Sequence, residues 1–385
     1  SGDRLRQRQG DDDGTARADR SQGRHRGARG CHDRTALIAL SPPWRVTRAH
    51  GEPLATGQLK QSPEDFRVDE LLDFEPAGEG EHLMIQVRKR DRTTDQVTRQ
   101  LARLAGVRAR NIGCCGMKDR HAVTTQWFSL PWPIKRESPD PGDWSERLDG
   151  ADCLRIERHD RKLRRGAHAL NRFELRVDLD GAVDADALAA RIQAIAERGV
   201  PNAFGSQRFG REGRNLEQFE AMDRPPGIVL SAARSALFNR VLDARVRDGS
   251  WNRLLDGEWC MLNHSNSGFL ADADDPALQR RTEEGDLHPS GPMPGRASDG
   301  PVGVAQAREQ AWLADAAPWI DKLAALGVEA SRRPLRVIPE QLRILRHEAN
   351  SVVLSFALPP GSFATTVVSE CIDFDGYLHQ RSSNS

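Results

Sequence analysis

One stretch of this chain concentrates residue types that can do chemistry: Gly113-Cys114-Cys115-Gly116-Met117-Lys118-Asp119-Arg120-His121-Ala122. A carboxylate flanked by two cations, as Asp119 is, can supply a nucleophile or a general base. Its two glycines let the backbone approach a ligand closely. Read alone, Lys-Asp-Arg is also what a solvated surface looks like. A second stretch, Pro201-Asn202-Ala203-Phe204-Gly205-Ser206-Gln207-Arg208-Phe209-Gly210, sets an aromatic beside an amide among glycines. That pairing suits a planar ligand, which the ring stacks and the amide reads at its edge. A tight turn with a buried Phe would look the same. A third, Leu358-Pro359-Pro360-Gly361-Ser362-Phe363-Ala364-Thr365, reads as the end of a strand opening into a helix, with Phe363 as another wall. A basic run, Arg158-His159-Asp160-Arg161-Lys162-Leu163-Arg164-Arg165, suits phosphate contact or a solvated face equally.

The elements around these stretches set an α+β expectation. A strand, a turn at Ser62-Pro63-Glu64-Asp65 and a second strand through Phe66 and Val68 fill Gln58 to Glu70. Leu83, Ile85 and Val87 alternate as a strand does, and so do Phe173, Leu175, Val177 and Leu179. Val97, Leu101, Leu104 and Ala105 fall at helical spacing, with Thr94 as the expected N-cap and Gly106 as the stop. Leu188, Ile192, Ile195 and Ala196 form a second helix face. Ser231 to Arg247 reads as an amphipathic helix, Ser290 to Gly295 as a loop-rich break, Ala305 to Leu326 as one helix and Val352 to Ala357 as the last strand. Strands and helices mix without a βαβ rhythm, which favours a mainly antiparallel sheet flanked by helices.

Composition narrows the function classes. The 385 residues carry 56 Lys+Arg and 56 Asp+Glu, a net charge of +0, so any nucleic-acid contact must come from a local basic face. No apolar run reaches the ~18 residues a membrane helix needs. The six cysteines form no C-x-x-C pair, and the sequence holds neither a phosphate-binding G-x-x-x-x-G-K-[ST] nor a strand-borne G-x-G-x-x-G. Reduced thiols in a cytoplasmic protein, no nucleotide cofactor and no metal are therefore expected. Residues 1–38, rich in Arg and Asp and poor in large apolar side chains, read as a disordered tail or non-native extension, and 376–385 as a flexible tail.

Taken in order, these stretches resemble the tRNA pseudouridine synthase D family. The resemblance rests on Pro63-Glu64-Asp65-Phe66 with Val68 and Glu70, Gly78-Glu79-Gly80-Glu81-His82, Gly116 with Lys118-Asp119, and His121-Ala122-Val123-Thr124 with Gln126-Trp127. It continues through Arg161-Lys162-Leu163-Arg164 with Gly166, Gly199 to Asn202, Phe204-Gly205, Gln207 to Gly210, Ser231 to Asn239 and Gly361-Ser362-Phe363-Ala364-Thr365. It covers about residues 45–373. The resemblance implies an isomerase that converts uridine 13 of certain tRNAs to pseudouridine without a cofactor. It implies Asp119 as the catalytic carboxylate and Lys60 and Lys118 as basic residues beside it. Phe66, Asn202, Phe363 and Phe204 would surround the target base, and Arg158, Arg161, Lys162, Arg164, Arg165 and Arg208 would contact RNA. It implies a catalytic domain of residues 39–224 and 338–375, interrupted by an inserted α/β domain of 225–337, where Asn263 to Arg281 departs most from the family pattern. The expected partner is tRNA and the expected state a monomer.

Two other classes compete. A tRNA-binding module or RNA chaperone would keep the basic face and need no turnover. A hydrolase would use Asp119 with Glu70 as a carboxylate pair on a glycosidic bond and release the base.

Overall fold

The computed structural model describes residues 42–296 and 299–374. The expected extension 1–38, the expected tail 376–385 and Cys31 lie outside them. In chain order, β1 (Ala55–Leu59), β2 (Phe66–Leu71), β3 (His82–Arg90), β4 (Gly113–Cys114), β5 (Val123–Pro131), β6 (Ala151–His159) and β7 (Leu170–Leu179) build one sheet. Then β8 (Val200–Pro201) departs. Four strands, β9 (Trp259–Leu262), β10 (Gly268–Leu270), β11 (Leu287–Met293) and β12 (Ser331–Pro334), form a separate sheet, and β13 (Arg336–Val337) pairs back onto β8. Finally β14 (Glu340–Glu348), β15 (Ser351–Leu358) and β16 (Ile372–Phe374) return to the large sheet. Its main path runs β14-β15-β7-β2-β5-β3-β6. Pairing is antiparallel except for β2 with β5 and β1 with β16, as the α+β expectation required. Among the described residues no helix is long and apolar enough to cross a membrane.

The sheet is covered where its strands are apolar. The helix Ala185–Arg198 starts at Asp184, whose carboxylate accepts from Ala187 N–H, and lays Leu188, Ile192 and Ile195 on Leu175, Val177 and the fully buried β15. A second core gathers Leu83, Ile85 and Val87 with Val97, Leu101, Phe128 and Trp132. The helix Thr94–Ala105 ends at Gly106 in the left-handed region, as read. Its N-cap is Thr93 and not Thr94: Thr93 Oγ1 accepts from Gln96 N–H while Gln96 Oε1 accepts from Thr93 N–H. Thr94 is thereby free for another task, described below.

Three other expectations change. The helix Gly227–Arg247 is buried on most sides, not on one stripe, because β11, the helices Arg214–Ala221 and Gly303–Trp312 and the turn Ser206–Phe209 pack around it. The span Ser290 to Gly295 is not a break. Residues up to Met293 belong to β11, and Gly291 is required there because a Cβ would lie 2.8 Å from Leu335 Cδ2 and 3.0 Å from Phe238. The glycine that reads as a turn is a close approach between strand and helix. The helix expected over Ala305 to Leu326 is two, Gly303–Trp312 and Ala317–Ala325, separated around Leu313 with Pro318 opening the second.

Candidate active site

The second and third stretches meet the first around one cavity of about 420 Å³. Asp119 enters it from the loop between β4 and β5, Lys60 from the end of β1, Phe66 and Val68 from β2, and Asn171 and Phe173 from β7. Gly205 to Gln207 and Pro360 to Thr365 close the far side. Strand pairing explains the floor. Phe66, Val68 and Glu70 alternate on one face of β2, and β7 sets Leu175, Phe173 and Asn171 directly opposite them. Each strand thus carries an apolar stripe that ends in a polar residue under the loop of Asp119.

Asp119 itself is held from two sides. Lys60 Nζ pairs with Asp119 Oδ2 and lies 3.7 Å above the Phe66 ring. Lys60 has φ 63°, a left-handed conformation that a side-chain-bearing residue adopts at a cost. It turns the chain at the end of β1 just where the ammonium must face Asp119. Lys89 Nζ donates to the Asp119 main-chain carbonyl at 2.7 Å. This lysine is 1% exposed, and burial pushes its ammonium down to about 8, with the Asp119 charge acting in the opposite direction. The Asp119 side chain remains 41% exposed, open to a substrate.

Beneath the loop lies a dry polar network. Lys118 Nζ sits 2.7 Å from Glu70 Oε2 and donates to Asn171 Oδ1 at 2.8 Å. Glu70 Oε1 accepts from Trp127 N–H at 3.0 Å. Lys118 N–H donates to Thr94 Oγ1, whose hydroxyl donates to Gln126 Oε1, which is why Thr94 is not the cap. Because Asn171 turns its oxygen to Lys118, its Nδ2 faces His168 Nε2 at 3.2 Å and donates to it. That places the His168 proton on Nδ1, which is buried without a partner. Burial, with the Lys118 charge, lowers the His168 pKa and keeps the ring neutral. Glu70, Cys115 and His168 have ligand atoms within 4.8 Å of one another, close enough for a metal. Lys118 already supplies the cation there, and burial, then Glu70, pushes the Cys115 thiol up to about 12, so the cluster suits a hydrogen-bonded network. Glu70 is 2% exposed, with Oε1 accepting from Trp127 N–H and Oε2 paired in charge with the Lys118 ammonium, which leaves it no role as the second carboxylate of a hydrolase.

The remaining site candidates divide. Lys60, Phe66, Lys118, Asp119 and Phe363 line the cavity. Asn202 and Phe204 stand one layer back. Asn202 Oδ1 accepts from Arg333 and Ser362, and its Nδ2 donates to the Pro334 carbonyl, so the amide braces the wall. The Phe204 ring packs edge-on to Phe363 at 6.0 Å and to Phe238 at 5.5 Å. Of the basic run, Arg161, Lys162, Arg164 and Arg165 are exposed, though Lys162 Nζ reaches the Arg110 carbonyl. Arg158 differs: its guanidinium donates to the carbonyls of Gly80, Trp132, Pro133, Ile134 and Arg136, which ties down a loop and leaves little for RNA. Arg208 is half-buried over the Phe204 ring at 5.1 Å. Lys89, Asn171, His168 and Arg333 were not read from the sequence as site residues. Phase was the available signal, since Lys89 continues the alternation Leu83, Ile85, Val87 and Asn171 precedes Phe173 and Leu175 in step.

Comparisons with known proteins agree with this geometry. A family model described as tRNA pseudouridine synthase D matches residues 47–217 and 226–371. The tRNA pseudouridine synthase D of Methylococcus capsulatus is 46% identical over 341 residues, covering 86% of this chain and 95% of that protein. The one of Chromohalobacter salexigens is 43% identical, covering 86% and 98%. A crystal structure of a putative tRNA pseudouridine synthase D from Methanosarcina mazei has the same fold, with TM-score 0.64, 22% identity and coverage of 85% of this chain and 96% of that one.

Proposed function

The chain belongs to the tRNA pseudouridine synthase D family, and we propose that its cavity isomerises uridine 13 in the D-arm of tRNA, with Asp119 as the catalytic carboxylate. The protein is accordingly an isomerase acting on tRNA. Uridine and pseudouridine have the same atoms. The N1–C1′ bond breaks, the base turns, and C5 bonds to C1′ while the C5 hydrogen leaves as a proton and N1 takes one up. No redox step and no external nucleophile enter that balance.

The observation that carries the reading is an accessible carboxylate, paired with Lys60, at the mouth of a cavity walled by Phe66 and Phe363. A nucleotide drawn out of folded RNA loses roughly a few kcal/mol of stacking, and aromatic walls replace part of it. Asp119 then acts on the sugar–base unit, by attack or by removing a sugar proton. Lys89 holds its backbone and Lys60 its carboxylate, so the group is oriented before substrate arrives. Lys118 serves from beneath, through Glu70 and Asn171. Arg161, Lys162, Arg164 and Arg165 offer an exposed basic edge to the RNA backbone. Residues 39–224 with 338–375 form the catalytic domain in this reading. Residues 225–337 form an insert, within which the β9–β12 sheet falls. The enzyme works as a monomer in the cytoplasm.

The test is tritium release from tRNA transcribed with uridine labelled at C5. Release by wild type, lost in Asp119→Asn, is the expected result. Binding of tRNA without release would favour the RNA-chaperone reading, and free uracil would favour a hydrolase.

A further inference from the structure

We propose that Arg208 and Arg333 form a cleft that takes one phosphodiester of the RNA strand beside the nucleotide in the cavity. This rests on the reading of that cavity as the uridine site. Both guanidinium groups lie over the same ring, Phe204, with Arg333 Cζ at 4.2 Å and Arg208 Cζ at 5.1 Å. They come from distant parts of the chain, Arg208 directly after the cavity-lining Ser206 and Gln207, and Arg333 from β12 in the second sheet.

Among the described residues neither pairs with an anion and no carboxylate acts on either charge; burial and, for Arg333, the neighbouring Arg208 are what depress them. Other withdrawn arginines here are met in different ways, and Arg234, also without a carboxylate among the described residues, spends Nη2 on the Met293 and Glu329 carbonyls and Ser331 Oγ. Arg245 pairs with Glu258 and Arg332, next in the chain, with Glu309, each at 2.8 Å. Arg336 uses its guanidinium on His288 and two carbonyls away from the cavity. The Arg208 guanidinium donates no hydrogen bond among the described residues, and its Nε is buried without a partner. Arg333 bonds Asn202 and the Gly361 carbonyl through Nε and Nη2, which leaves Nη1 beside Gly361, a residue of the cavity wall. Two adjacent cations half withdrawn from water without a counter-charge are costly, and fixed guanidinium donors match the oxygens of a phosphate. The missing anion therefore arrives with the substrate, since a flipped nucleotide brings its flanking phosphates to the cavity mouth. It follows that the second sheet contributes a residue to the substrate site.

The experiment uses the full-length enzyme and unmodified tRNA transcript. Affinity is measured against salt for wild type, Arg208→Gln and Arg333→Lys, with tritium release in parallel. Each phosphate contact contributes roughly 0.7–0.9 to the log–log salt slope, so Arg208→Gln is expected to lower it by about that amount and to weaken binding roughly tenfold. Arg333→Lys keeps the charge and loses the fork, so it should keep the slope while weakening binding. A methylphosphonate placed in turn on either side of the target uridine then removes the phosphate's charge. At one of the two positions wild type should weaken as Arg208→Gln does, and Arg208→Gln should show no further loss there. An unchanged slope in a folded Arg208→Gln, or methylphosphonates that leave wild-type binding intact on both sides, would overturn the proposal. The second arm needs only wild type, so it decides the matter even if a variant fails to fold. Absence of tritium release from wild type on natural tRNA is a different failure, that of the underlying reading of the cavity.

Discussion

Two lysine–carboxylate pairs lie side by side in this molecule, and they differ in almost everything but chemistry. Lys60 and Asp119 meet at the cavity mouth, with side chains 17% and 41% exposed. Lys118 and Glu70 meet below it, 6% and 0% exposed. The outer pair can exchange its partner for a substrate because water and ligand reach it. The inner pair cannot, because it is withdrawn from water and each partner is already engaged, Lys118 by Asn171 Oδ1 and Glu70 by Trp127 N–H. The residue before Asp119 therefore serves as a post that fixes the loop, and Asp119 as the group it presents. A run of Lys-Asp in the sequence conceals this division of labour.

Substitutions can break the comparison, and Asp119→Asn has the largest expected effect. It removes the carboxylate proposed to act and should lower tritium release by roughly 100- to 10,000-fold while leaving tRNA affinity and the urea midpoint nearly unchanged. A large loss of stability instead would mean that the outer pair is structural too. Glu70→Ala strands the Lys118 ammonium in a dry site, and chemical denaturation should show a loss of about 3–5 kcal/mol. The double variant Glu70→Leu with Lys118→Met should recover much of that stability, with activity still reduced because the loop has lost its anchor; strict additivity would contradict the coupling.

The third effect is a pH dependence. Folded Lys89 loses its proton near 8, whereas the unfolded side chain keeps it until about 10.5. In that window the unfolded chain binds more protons, so this group's contribution to stability rises with pH, and its burial penalty is fully present below 8. The urea midpoint of wild type relative to Lys89→Met should therefore shift in favour of wild type between pH 8 and 10.5. A constant difference across that range would show that Lys89 does not titrate as its burial implies. The smallest change in stability is expected from Lys60→Gly. Relief of the left-handed backbone, about 1–2 kcal/mol, is offset by the greater chain freedom of glycine, about 0.5–1 kcal/mol, and by a partly exposed ion pair contributing about 0–1 kcal/mol. Calorimetry should find little change, while tritium release falls because Asp119 loses its cation.

Much of this could be read without coordinates, and the reason is local. Period-2 alternation makes Phe173 to Leu179 a strand, and a Thr or Asp before a helical stripe starts a helix, whatever the rest of the chain does. Ordered short motifs carried the family and placed Asp119 and Lys60 in the site. Partnership was not local. That Glu70 faces Asn171, that Thr94 serves Lys118 and not the helix end, that Arg158 is occupied by five carbonyls, and that Arg333 reaches the Gly361 carbonyl of the cavity wall from another sheet all depend on strand register and on contacts between residues far apart in sequence. Whether a charged side chain is a free reagent or a buried post depends on which atoms surround it, and only the tertiary structure brings those atoms together.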